Sequence, residues 1–287
     1  MRQEIITLYD DYTHERLGRR VFMDRLATLA GGTAAASALL PILQNNYAKA
    51  AIVAEDDARL TTEEISFPGP SGEIRGYLAR PADAAGELPA VLVIHENRGL
   101  NRYVEDVARR AALESFVALA PDFLSPQGGT PEDEDQAREM IGQLDQQQTL
   151  QNALAAVDFL ESHEATTDKV GVVGFCWGGG LANQVAVNSP NVDAVVPFYG
   201  RQPASEDAAK IKAPLLLQYA GLDDRINEGI PEYEQALKDA GVDYTIHVYE
   251  GANHAFHNDT SAARYDPEAA EQAWSRTIDF LKQHLAS

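Results

Sequence analysis

Only one of the 287 residues is a cysteine, which excludes an internal disulfide framework and any zinc site built on paired thiolates. Basic residues are scarce too: 23 Lys and Arg stand against 44 Asp and Glu, a formal charge of −21 at pH 7. Residues 1–50 are nearly balanced, with six basic and five acidic, so the rest of the chain carries 17 against 39. A field of that sign repels nucleic acid and other polyanions. Long apolar runs are missing as well. The most apolar stretch, Leu26 to Leu43, is broken by Gly31-Gly32 and Pro41 and is too short and weak for a membrane span.

What is there centres on the lone cysteine. An apolar run, Val170 to Val173, feeds Gly174-Phe175-Cys176-Trp177-Gly178-Gly179-Gly180. A strand entering a Gly-x-Cys-x-Gly turn that opens a helix has the form of a nucleophile elbow, with cysteine in place of the usual serine. Glycines two positions either side leave room for a strained turn, and a thiol over a helix N-terminus is biased toward thiolate. The competing reading is a small buried hydrophobe in a phosphate-binding turn. Against it, the run lacks the Gly-x-Gly-x-x-Gly pattern and the Walker-type Lys-Ser/Thr pair.

An elbow requires an acid and then a histidine later in the chain. Asp223 and Asp224 follow the buried run Leu215 to Tyr219, and His254 follows the strand-like run Tyr244 to Tyr249 within Glu250-Gly251-Ala252-Asn253-His254-Ala255-Phe256. Strand ends of an open α/β sheet gather on one rim, where His254 would take the thiol proton and an aspartate would fix its tautomer. His247 and His257 invite a metal reading, but no second ligand pair has zinc-site spacing, so no metal and no cofactor are expected.

With these residues in hand, the chain resembles the dienelactone hydrolase family (carboxymethylenebutenolidase-like α/β-hydrolases) over about residues 60 to 285. The resemblance is carried by Gly174 to Gly179, by His95-Glu96-Asn97-Arg98-Gly99-Leu100-Asn101, by Ala120-Pro121-Asp122-Phe123 and by Gly251 to Phe256. It implies Asp223 as the acid, from its Asp-x-Arg-Ile setting, with Asp224 the alternative. It implies Glu96 as the residue that interacts with the resting thiol, although a carboxylate there also suits a solvated helix start. The oxyanion donors implied are the backbone N–H groups of Trp177 and Asn97. The chain departs from the family at the two arginines that grip an anionic lactone: Pro126 and Asn258 stand in their places. Arg98, and Arg201 just beyond Tyr199, are candidate replacements on the same rim, and these three residues form the expected substrate-binding set.

From about residue 61, short apolar runs alternate with amphipathic segments. The pattern predicts an α/β fold with a mostly parallel central sheet of about eight strands, helices on both faces and an opening antiparallel hairpin. Val104, Val107, Ala108 and Ala111 mark one core-facing helix stripe, and Ala270, Ala273, Ile278 and Leu281 another. Residues 51–287 are expected to form one hydrolase domain. Residues 1–50 read as a separate leader: Arg19-Arg20, an apolar region, then Ala48-Lys49-Ala50 follow the order of a twin-arginine signal. That order implies a periplasmic mature protein with no stable membrane span. Acids before the arginines, and Asp24 after them, leave a cytoplasmic protein with an amphipathic N-terminal helix packed on the domain as the alternative. The expected partner is a small ester or lactone, attacked by Cys176 to give a thioester. The rivals are a binding protein that kept the fold, and a hydrolase of larger or amide substrates.

Overall fold

In the computed structural model, which describes residues 1–14, 16–47 and 51–286, three helices come first: α1 (Gln3–Thr13), α2 (Arg19–Ala30) and α3 (Thr33–Leu43). The chain then alternates β1 (Leu60–Gly69), β2 (Gly72–Pro81), β3 (Leu88–Ile94), α4 (Arg102–Leu113), β4 (Val117–Pro121), α5 (Glu134–Gly142), α6 (Gln146–Glu161), β5 (Thr166–Phe175) and α7 (Trp177–Asn188). It ends with β6 (Ala194–Phe198), β7 (Leu215–Ala220), α8 (Asp224–Asn227), α9 (Ile230–Ala240), β8 (Tyr244–Tyr249) and α10 (Pro267–His284). The eight strands form one sheet in the order β1-β2-β4-β3-β5-β6-β7-β8. β1 and β2 pair as the expected hairpin, β2 meets β4 antiparallel, and the remaining neighbours are parallel.

Continuous apolar runs suit strands covered on both faces, and the alternation of side chains divides them between two cores. Leu92, Ile94, Val170 and Val172 join the cluster packed with Val157 of α6, Val185 of α7 and Leu237 of α9. Val91, Val93, Val173 and Phe175 point the other way, toward Val107 of α4 and Ile278 of α10. Helix starts are set by side-chain caps: Asn101 accepts from the amides of Tyr103 and Val104, and Asp133, Asp145 and Asp266 cap α5, α6 and α10. The acidic run before α5 is thus a capped helix start, with Glu134 and Asp135 in its first turn.

α1–α3 enclose a separate small core of Ile5, Leu8, Tyr9, Phe22, Leu26 and Leu43. α2 ends at Gly31 in the left-handed region, φ 85°. Among the described residues no single helix is long and apolar enough to cross a membrane; α2 and α3 together pass by length and composition but meet at 109°. The expected cleavage site, Ala48-Lys49-Ala50, lies outside the described residues.

Candidate active site

The parallel strands present their carboxyl ends on one rim, and the candidate residues follow them: Glu96 after β3, Cys176 after β5, Asp223 after β7 and His254 after β8. At the β5–α7 junction Cys176 adopts φ 55° and ψ −112°, a strained conformation for a residue with a side chain. The flanking glycines make it possible. A Cβ on Gly174 would lie 2.1 Å from the Gly178 carbonyl oxygen, and one on Gly178 would lie 2.4 Å from that of His95. The Cys176 amide is anchored on the Phe198 carbonyl at 3.0 Å.

His254 Nδ1 lies 2.5 Å from Asp223 Oδ2, which leaves Nε2 to face the sulfur. That nitrogen is buried and has no hydrogen-bond partner among the described residues. Asp223 caps the short α8 and is buried, whereas Asp224 is exposed; of the two aspartates, Asp223 is the one that meets the imidazole. Arg225 Nη2 also lies 3.3 Å from His254 Nδ1.

A second imidazole, not anticipated from the sequence, stands on the other side. His14, at the C-terminal end of α1, places Nε2 3.4 Å from Cys176 Sγ, and its Nδ1 is held by Asp10, 2.8 Å from the backbone oxygen and 3.3 Å from Oδ1. The two histidine rings meet edge to face with centroids 4.7 Å apart. Ligand atoms of His14, Cys176 and His254 all lie within 4.8 Å of one another.

The electrostatics follow from these contacts. Burial alone would push the Cys176 thiol up, but the His254 and His14 rings outweigh it and hold the thiol well below the usual cysteine range. Burial would likewise lower His254 and His14, yet the sulfur and their aspartates raise both. The sulfur and the two rings therefore favour one another's charged forms, thiolate and imidazolium. Glu96 moves the other way: burial and the neighbouring sulfur raise it. Its carboxylate accepts from Asn258 Nδ2 at 2.7 Å and from Tyr199 Oη at 3.3 Å.

Other expected residues are placed unevenly. Trp177 opens α7, so its N–H is one of the unpaired donors of a helix start. Asn97 lines the cavity at the sulfur, and its side chain donates to the Thr13 carbonyl at 2.8 Å. Arg98 also lines it but is committed elsewhere, donating to the Glu134 carbonyl at 3.0 Å and lying 3.6 Å from Asp135. Tyr199 is fully buried behind Glu96. Arg201, expected at the rim, does not line the cavity, and its side chain is exposed. Just before it, the backbone of Gly200 packs closely against Gly179. Arg264, unremarked in the sequence, does line the cavity and lies 4.0 Å from Asp10.

The cavity itself measures about 10 Å³ and is closed over by Thr13, His14 and Asn45. Beside it, a cleft of about 640 Å³ runs between the α1–α2 connection and α5, lined by Leu17, Arg19, Asp133 and Arg138 among others.

Comparison with known proteins fits this geometry. The sequence profile of the dienelactone hydrolase family matches residues 74–285, and a second profile, YqhI-like, matches residues 1–32. A Bradyrhizobium protein named "Probable 2-oxo-3-(5-oxofuran-2-ylidene)propanoate lactonase" is 35% identical over 245 residues, covering 79% of this chain and 98% of its own. Protein usf of Aquifex pyrophilus is 35% identical over 230 residues, covering 77% of this chain and 98% of its own. The crystal structure of a dienelactone hydrolase from Anabaena variabilis matches with a TM-score of 0.60 at 26% identity, covering 79% of this chain and 99% of its own. The nucleophile turn, the sheet that carries it and the profile that spans both lead to one assignment: the chain belongs to the dienelactone hydrolase family.

Proposed function

We propose that the protein hydrolyses a small ester or lactone through a thioester on Cys176. The observation that carries this reading is the chain of contacts from Asp223 through His254 to a strained elbow cysteine. In the acylation step the thiolate sulfur bonds to the carbonyl carbon. The π electrons move to the carbonyl oxygen, which the backbone N–H groups of Trp177 and Asn97 receive. Collapse of this intermediate expels the alkoxide, which takes its proton from the His254 imidazolium. Water, giving a proton to the now neutral His254, then adds to the thioester, releasing the acid and restoring the thiolate. Asp223 keeps the ring in the tautomer that permits both transfers.

Pro126 and Asn258 leave the family's two arginine positions without a cation, and Arg98 faces Glu134 and Asp135. We therefore read the substrate as one that needs no carboxylate. The name of the Bradyrhizobium relative supports a lactone among the candidates. The test is a panel of small aryl esters, lactones and matching amides, with and without a carboxylate. Uncharged esters and lactones should turn over and the amides should not; turnover confined to carboxylated members, or full activity in Cys176→Ala, contradicts the reading.

A second question is where the enzyme works. Arg19-Arg20 at the start of α2, ahead of the apolar α3, supports an export leader and a periplasmic mature protein, whereas the packed core of α1–α3 and the contact of His14 with Cys176 support a segment that stays with the enzyme. We favour retention. The intact mass of protein recovered from the native cell separates the two: the full chain supports retention, and a chain beginning near Ala51 supports export with cleavage.

A further inference from the structure

Every group the mechanism needs lies in residues 96–254, yet the group nearest the sulfur outside that set comes from the first helix. α1–α3 pack around their own apolar core, and their contacts with the hydrolase domain include a set of polar ones. Tyr12 Oη donates to Asp135 Oδ2 at 2.7 Å, Arg138 Nη1 donates to the Tyr12 carbonyl at 2.9 Å, and Asn97 donates to the Thr13 carbonyl at 2.8 Å. An open cleft of about 640 Å³ runs along this seam. A unit with a core of its own, joined by hydrogen bonds beside an open cleft, can leave its seat without unfolding. The seat is occupied in the structure, and the cavity left at Cys176, about 10 Å³, has room for about one water molecule. No ester or lactone fits beside the sulfur while α1 stays where it is.

We propose that α1–α3 are a cap built into the chain, and that His14 is a positioning residue that guards Cys176, holding the sulfur while the site is empty and withdrawing with α1 when substrate enters. The inference rests on the thiol reading above. Its geometric basis is a second imidazole at the same sulfur: the Asp10 backbone oxygen fixes Nδ1 of His14 at 2.8 Å with the Asp10 carboxylate 3.3 Å away, His14 Nε2 lies 3.4 Å from Sγ, and the His254 ring, held by Asp223, lies within 4.8 Å of both. The charged groups around His14 are Asp10 from α1, Arg225 from α8, and Glu96, Arg98, Cys176, His254 and Arg264 from the loops and turns of the domain. Arg225 and Arg264 lie 3.9 and 4.0 Å from the Asp10 carboxylate, so the residue that orients the guard also faces the cations of the domain. The cap thereby sets both the resting state of the nucleophile and the access of substrate to it.

The experiment is iodoacetamide labelling of Cys176 across pH in the full-length protein, comparing wild type with His14→Ala and His14→Gln. Removing the ring should raise the limiting labelling rate about tenfold, the worth of one lost contact to a charged group. It should also move the labelling midpoint to higher pH, because one of two cations beside the thiolate is gone. His14→Gln fills the space without the charge, so it should keep slow labelling and show the same upward midpoint shift. Wild-type rate and midpoint in both variants would overturn the proposal. If His14→Ala fails to fold, the midpoint in His14→Gln decides alone. Failure of the thiol reading would show itself differently, as ester hydrolysis surviving in Cys176→Ala, which this labelling does not measure.

Discussion

Asn258 donates its side-chain N–H to Glu96 Oε2 at 2.7 Å, both groups buried within the domain. The residue that stands where the resemblance places a substrate-binding arginine is therefore spent on holding a carboxylate near Cys176. That carboxylate and the thiolate disfavour each other: burial raises Glu96 first, and the Cys176 charge raises it further. Replacing Glu96 with Gln removes a negative charge next to the sulfur, so the thiolate gains and the pH midpoint of Cys176 labelling should fall. A rise would mean that Glu96 supports the thiolate rather than opposing it.

Asp223 and Asp224 are adjacent in sequence and unlike in place, one buried against His254 and the other exposed. Asp223→Asn should lower kcat/KM by about three to four orders of magnitude, as losing the orienting acid of a triad does. Asp224→Asn should stay within about twofold, as an exposed position does. Steady-state kinetics on one aryl ester compare them directly, and the reverse ranking would reassign the acid.

The pH dependence has a definite sign. A free cysteine, with a pKa of about 8.5, loses nucleophilicity as pH falls below that value. In this site burial works against the charge, but His254 and His14 hold the thiol well below the ordinary range. Labelling of the native enzyme should therefore hold its own limiting rate through neutrality and decline only well into acid, while the rate for urea-unfolded protein declines below about pH 8.5. Coincident native and unfolded profiles would mean that the imidazoles do not act on the sulfur.

The elbow makes a steric prediction that is independent of activity. A methyl group on Gly174 would meet the Gly178 carbonyl oxygen at 2.1 Å, whereas one on Gly180 would find its nearest neighbour at 3.7 Å. Gly174→Ala should cost about 3 kcal/mol from overpacking against backbone, and Gly180→Ala should be near neutral. Denaturant midpoints at constant slope measure both. Equal stability of the two variants would contradict the close approach that shapes the turn.

Cys176, Asp223 and His254, which the structure brings to one rim, were legible because each is announced locally: a glycine-flanked turn after an apolar run, a carboxylate just past a strand, a histidine in the loop before the last helix. The strands were legible for the same reason, since continuous apolar runs suit a sheet covered on both faces. His14 was not. Its partner is 162 residues away, and only the docking of α1 brings the ring to the sulfur. One trace was present: Ile5, Leu8, Tyr9 and Tyr12 fall at helical spacing and are all buried, the mark of a helix with a packed face. Arg201 misled for the opposite reason. It follows β6 as expected, but its side chain is exposed and does not line the cavity at the sulfur, and no sequence pattern records which way a loop side chain turns.

The central claim is that the Cys176 sulfur carries the acyl group during turnover. Acid quenching of the enzyme during hydrolysis of a slow aryl ester, followed by peptide mass spectrometry, should place the acyl mass on the peptide containing Cys176 and nowhere else. Cys176→Ala should then show neither adduct nor turnover. An acyl mass on another residue, or undiminished hydrolysis by the alanine variant, would contradict the account.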